Sequence, residues 1–445
     1  PPRSTLFPYT TLFRSLGFRR RAWYQAVLNG RDQLRQRVAF ALSQIVVVGD
    51  DPFGNGHTEG ITNYYDLLVT HAFGNYRTLL EQVSRNPIMG IYLSSLRNAK
   101  ANPAAGTFPD ENYAREVMQL FSIGLVMLQP DGTLKLGTDG LPIPTYDNTT
   151  ITEMAKVFTG WGYFSTATNP NFRTTRANYL EPMMMYQAEH DTGQKRIVNG
   201  VVLPAGQTGA QDLAGALDAL FNHPNCAPFV SRRLIQRLVT DNPSPAYVYR
   251  VAQVFDRERT SPNQLGAVVR AILTDYEARS PAVAATPGFG KLREPLLRFT
   301  ALLRTFNATS SSGRNRLESS PYASLLQGPL ESPTVFNFFE PDYVHPGPLA
   351  AAGLVAPTFQ ITNDTTAIST PNFLRSTVFT TAAGSAGPFN LVLDLAPEQA
   401  LVGNVPGLLD HLSLVMTGNQ LSAPTRTRLT TALGALGATT SARER

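Results

Sequence analysis

Three side chains set the chemical possibilities of this chain of 445 residues: Glu116, His190 and Asp191. Carboxylates with an imidazole can hold a divalent metal ion, or divide the roles of general acid and general base in a cleft. Their spacing is not that of a local metal motif, because no H-E-x-x-H occurs and no second histidine lies one helical turn from His190. A centre built from these residues needs a fold that gathers distant segments. The same groups, joined by Asn112, Arg115 and Trp161, also suit a buried polar network. In that reading Arg115 pairs with Asp191 or Glu116, and His190 caps a backbone group. The network is the preferred reading and the metal or acid–base site the alternative.

Glu116 sits in the stretch around which the rest of the chain is organised, Phe108 to Gly124. Asp110 or Glu111 can accept from the free N–H groups of a first helical turn. Tyr113, Val117, Leu120 and Phe121 recur at helical spacing and form one apolar stripe. Gly124 suits the left-handed residue that ends a helix. Asn112, Arg115, Glu116 and Gln119 line the other face, with Glu111 and Arg115 one turn apart.

The chain is long enough to bury a large core. Charged residues make up 16% and hydrophobic residues 42%. That balance argues against a disordered or coiled-coil chain. No run of about 18 apolar residues is present, so no transmembrane helix is expected. The net charge is +5, nearly all of it from arginine, since lysine occurs only at positions 100, 135, 156, 195 and 291. These arginines are scattered rather than clustered with aromatics, so nucleic acid is not an expected partner. The single cysteine, Cys226, excludes an internal disulfide and a multi-cysteine metal site. A nucleophile elbow, a P-loop and a dinucleotide fingerprint are all absent from the sequence.

Residues 1–15 have neither helical nor strand period and resemble translated adapter sequence at the ends of metagenomic gene models, so they are set aside as non-native. The pattern is helical over Ala22–Val48, with Leu34, Val38, Ala41, Leu42 and Ile45 in register, then over Ile61–Phe73, Tyr76–Ser84 and Pro87–Leu96. Turn signals at Pro130-Asp131-Gly132 and Asp139-Gly140 bracket a candidate β-hairpin. Thr150 or Thr152 is placed to cap the next helix, which stops at Gly160-Trp161-Gly162. Asn199-Gly200, between two short apolar runs, is the strongest hairpin signal in the chain. Helices follow at Gln211–Phe221, from Pro228, at Pro243–Phe255, Leu265–Tyr276, Arg293–Phe306, Val405–Met416 and Ser422–Leu433. The reading is a mainly α protein: one large multi-helix domain over residues 16–433, with one or two small inserted hairpins, long Pro/Gly-rich loops, and a disordered or truncated end over 434–445.

Taken together, several stretches resemble the bacterial family called domain of unknown function 1800. They are Leu34–Leu42, Glu111–Glu116, Phe158-Thr159-Gly160-Trp161, His190–Lys195, Phe229–Leu238, Arg293–Leu296 and Ser332–Phe339. Order and spacing carry the resemblance, which spans roughly Trp23 to Leu433. Many members have a Trp-His-Asn-His-like element on the first helix, whereas Leu42-Ser43-Gln44-Ile45 here holds no histidine, and this chain is expected to stop before the usual final helix. The resemblance implies an exported bacterial protein in a periplasmic or extracellular setting, and a protein partner outside the cytoplasm is one expectation for such a chain. Two functions therefore stand: a non-catalytic helical protein that binds a partner or organises an assembly, and a metal-assisted or acid–base hydrolase using Glu116, His190 and Asp191.

Overall fold

Apolar periodicity of three and four becomes helix through most of the chain. The computed structural model describes residues 16–50, 53–315, 317, 319–382 and 388–436. Among them are twenty α-helices and two sheets of two short antiparallel strands, which gives the mainly α class. The adapter-like segment 1–15 and most of the expected tail, 437–445, lie outside the described residues, and Gly434 closes the last helix.

The chain divides into two compact units. The larger holds residues 31–292 and 327–363, together with the chain up to Arg19. The smaller holds 20–30, 293–326 and the chain from Asp364. The sequence reads as one domain because no change of composition marks these boundaries.

Helix α1 (Leu16–Asn29) runs from the larger unit into the smaller. The larger unit continues with α2 (Gln33–Leu42), α3 (Thr58–His71), α4 (Tyr76–Ser84), α5 (Pro87–Tyr92), α6 (Asn112–Gln119), α7 (Asn148–Val157), α8 (Gly209–Phe221), α9 (Cys226–Leu238), α10 (Pro245–Arg257) and α11 (Gln264–Thr274). The long pattern over 22–48 is two helices, because the chain breaks at Gly30 and turns again after Leu42. Leu34, assigned to the apolar stripe, is 47% exposed. Asp147, rather than Thr150 or Thr152, caps α7, accepting from the Thr150 amide at 2.8 Å. Thr208 and Gln211 form a reciprocal capping box at the start of α8.

The stretch 108–124 runs from an exposed start at Phe108 into the core of this unit. Tyr113, Val117 and Phe121 are buried and Leu120 is half-buried. Tyr113 meets Phe158 edge-on at 4.8 Å and shares a 2.7 Å hydrogen bond with Ser84 of α4. The Tyr76 hydroxyl donates to the Phe121 carbonyl. Asp110 accepts from the Asn112 amide at 2.8 Å. Gly124, at φ +73°, closes the stretch in the left-handed region.

The hairpin expected near 130–140 is instead a closed ring of backbone bonds. Met127 N–H donates to Ile143 O, Ile143 N–H to Lys135 O, and Lys135 N–H to Met127 O, at 2.7, 3.1 and 2.8 Å. Three passes of chain meet only as isolated bridges. The Asn199-Gly200 hairpin forms as expected. Strand β3 (Lys195–Arg196) pairs with β4 (Val202–Leu203), and Asn199 and Gly200 both adopt positive φ. The other sheet pairs β1 (Trp161–Gly162) with β2 (Met184–Met185).

In the smaller unit α12 (Pro295–Thr305), α13 (Tyr322–Leu325), α14 (Asp364–Ala382), α15 (Val405–Thr417) and α16 (Ala423–Gly434) follow the second part of α1. Phe299 is the aromatic centre, edge-on to Tyr24 at 5.8 Å and to Phe373 at 5.0 Å. No described helix is long and apolar enough to cross a membrane.

Candidate functional site

Each residue of the site is set by a turn or a cap. After α7 the chain passes Thr159 and enters Gly160 at φ +83°. There an added Cβ would stand 3.0 Å from the His190 amide nitrogen and the Tyr186 carbonyl oxygen. The absence of a side chain at 160 lets the 186–190 loop lie directly against the end of α7. That loop is laced in place by Tyr186 N–H donating to Gly160 O, Gly160 N–H to Asn98 O and Lys100 N–H to Glu189 O, all at 2.8 Å. Buried Asn98 exchanges two further bonds with the Asp110 backbone, 2.8 and 3.0 Å, and so ties the loop to the start of α6.

Within this frame His190, Lys195 and Asp212 form a cluster whose three side chains are wholly buried. His190 Nε2 lies 3.0 Å from Asp212 Oδ2, and Lys195 Nζ lies 2.6 Å from the same oxygen. Lys195 Nζ also donates to the carbonyls of Asp191 at 2.6 Å and Gly193 at 2.9 Å, so its three donors have three acceptors. His190 Nδ1 is 2.9 Å from the Thr159 carbonyl oxygen. Both ring nitrogens therefore face oxygens, and the Thr159 hydroxyl lies 3.2 Å from Nδ1 as well. Asp212 stands in the first turn of α8, where the helix dipole favours a carboxylate. Taking ions such as these out of water is costly, and the pairing through Asp212 Oδ2 offsets it, while Asp212 Oδ1 is buried without a hydrogen-bond partner among the described residues.

Asp191 belongs to the cluster through its backbone. Its amide donates to the Thr159 hydroxyl at 2.9 Å, and its carboxylate turns to the Gly193 amide at 2.8 Å, 3.9 Å from Lys195 Nζ. Trp161 is buried one strand position beyond Gly160, with the Arg85 guanidinium over its ring at 5.6 Å.

The α6 residues lie apart from this cluster. Arg115 pairs with Glu111 at 3.4 Å, so the expected pairing of Arg115 with Asp191 or Glu116 gives way to the one-turn pair on its own helix. Glu116 is 5% exposed, and its side chain makes no hydrogen bond or ion pair among the described residues. Burial raises its carboxyl above the usual range. Asn112 is half-buried in the first turn. Glu116, His190 and Asp191 are not brought together, and among the described residues no three His, Cys, Asp or Glu side chains converge as a metal cage.

The stretches that make the cluster, Phe158–Trp161 and His190–Lys195, are two of those that carried the family resemblance, and a family match extends over residues 14–445, across both units. The chain belongs to the family described as protein of unknown function (DUF1800). No curated protein and no solved structure matches it. Within the family's stretches the side chains missed by sequence reasoning are Thr159 and Lys195. A lysine is rare in this chain, and one close in sequence to a histidine and an aspartate was the available signal. Asp212 lies outside those stretches, and its only signal was its place just after a capping box.

Proposed function

We propose that this protein is a non-catalytic helical protein that binds a partner or organises an assembly, and that its buried charged cluster holds the architecture together. One observation carries the reading. Both nitrogens of His190 are engaged, one by Asp212 and one by the Thr159 carbonyl, on a side chain with no exposed surface. A general base needs a free lone pair within reach of substrate, and this imidazole offers none. Surface chemistry supports the binding half. Leu125, Leu134, Leu136 and Leu141, all within the bonded ring of 125–145, are 51–63% exposed, and Phe108 nearby in sequence is 71% exposed. Exposed apolar side chains concentrated in one small element are what a protein interface uses. The extracytoplasmic setting rests on the family resemblance alone.

The test joins elemental analysis of the purified chain with equilibrium unfolding of His190→Gln. The structural reading expects no stoichiometric metal and a loss of roughly 2–4 kcal/mol from opening the cluster. A stoichiometric metal that disappears in His190→Gln, with stability little changed, would overturn it in favour of the hydrolase reading.

A further inference from the structure

Four stretches distant in sequence meet at a second place in the larger unit. Gln44 and Ile45 after α2, Leu120 at the end of α6, one face of α9, and the 335–341 segment line a cavity of about 60 Å³. That is room for a few waters or for one carboxylate group. Two arginines of α9 one turn apart, Arg233 and Arg237, belong to the lining. Each guanidinium lies against an aromatic face, Arg233 over Phe229 at 5.0 Å and Arg237 over Phe339 at 4.7 Å. Stacking of this kind holds the plane of the fork and leaves its N–H edges to bond elsewhere.

Arg233 has no ion-pair partner among the described residues; its guanidinium makes a 3.3 Å contact to the Gln236 amide oxygen. Burial pushes its guanidinium down to about 9, with Asp342 opposing from beyond ion-pair distance. The same lining includes Asn337, held at φ +73° and 6% exposed, whose Oδ1 is buried without a hydrogen-bond partner. Its Nδ2 donates to Gln44 at 3.4 Å. Other parts of the wall are apolar, among them Val335 and Phe336, and the exposed Glu340 is the one acidic side chain of the lining. A half-buried arginine stacked on Phe229 without an ion-pair partner, and the buried, orphaned amide oxygen of Asn337, around one cavity together describe a binding site.

We propose that this cavity takes the carboxylate of a ligand whose apolar body stays outside it against the exposed Phe336, with Arg233 as the fork and Asn337 accepting from an N–H or O–H next to that carboxylate. The acceptor at Asn337 and the single negative side chain in the lining favour a group that carries a donor beside its charge, as an N-acylated amino acid or a peptide C-terminus does. A bare polyanion offers neither the apolar body nor the donor.

N-acetyl-phenylalanine, its C-terminal amide and inorganic phosphate are titrated separately into the full chain by calorimetry. The proposal expects saturable binding of the acid, at least tenfold weaker binding of the amide, and at least tenfold loss for Arg233→Gln. Asn337→Gly keeps a residue suited to positive φ, so it removes the amide without straining the turn; it is expected to weaken binding severalfold with an unchanged melting temperature. Equal binding of acid and amide, no binding of the acid, phosphate bound in preference to the acid, or full binding by both variants would each overturn the assignment. None of these outcomes bears on the His190 cluster.

Discussion

Two regions of the larger unit hold positive charge in opposite ways. Around Lys195 every donor of the ammonium has an acceptor and a carboxylate lies 2.6 Å away. Around Arg233 the guanidinium rests on an aromatic ring, with no carboxylate in ion-pair range among the described residues and a cavity beside it. In the first the ammonium is fully paired, which is what a tie between segments requires, and the one unmet atom is Asp212 Oδ1, which has no hydrogen-bond partner among the described residues. The second is open and incomplete, which is what a site awaiting a ligand requires. Burial separates the two in degree, and the pairing of the cation separates them in kind.

The comparison breaks most readily at the closed end. Lys195→Met leaves the Asp212 carboxylate buried with only His190 beside it, and a loss of about 3–5 kcal/mol in urea unfolding at pH 7 is expected. The double variant Lys195→Met/Asp212→Leu removes both charges and should recover part of that loss, the remainder being the cost of leaving His190 Nε2 without its oxygen partner. A double variant as unstable as the single one would mean that shape, not charge pairing, holds the segments.

Next in size is a pH effect at a third buried group. His223 is 1% exposed, its Nδ1 accepts from the Asn225 amide at 3.1 Å, and burial lowers it from 6.5 to about 4. The unfolded chain therefore binds the proton first as the pH falls. Stability is full above about 6.5 and declines down to about 4, by up to about 3 kcal/mol. His223→Gln should flatten that limb of the stability curve, whereas an unchanged limb would assign it to other groups.

How much of this was readable beforehand depends on the range of the interaction. The helix 112–119, the Asn199-Gly200 hairpin and the helix that α8 became follow from residues within a few positions of each other, and each was legible. The closed ring at 125–145 was not, because its turns looked like hairpin turns while its pairing runs among three passes. A polar network was legible as a possibility around His190 and Asp191. Its other members, Lys195 and Asp212, were not, since the chain between them folds back through a hairpin before α8 begins. Arg115 was assigned a distant partner although Glu111, one turn away, competes for it at little cost in chain closure.

A smaller effect of opposite sign belongs to Glu116. Its carboxyl is buried, lacks a partner among the described residues and is raised above 4.5 by desolvation, so its ionised form is disfavoured in the folded chain. The folded state holds this proton longer than the unfolded state does, and stability falls as pH rises from about 4.5 through the raised value. Glu116→Gln removes the ionisation and should raise stability at pH 8 by about 1 kcal/mol, with no gain at pH 4. A loss at pH 8 would show that the carboxylate is held by a partner and is not an isolated charge.

The smallest expected change is the sharpest test of the comparison itself. Arg233→Met keeps an apolar stem against Phe229 and deletes a charge that has no counter-charge to leave behind. Its unfolding free energy should stay within about 1 kcal/mol of the parent, against the several kcal/mol expected at Lys195 for a substitution of the same kind. A loss as large as that of Lys195→Met would mean that the guanidinium is already paired within the protein. The cavity beside it would then be a packing feature, and the two regions would differ in exposure but not in kind.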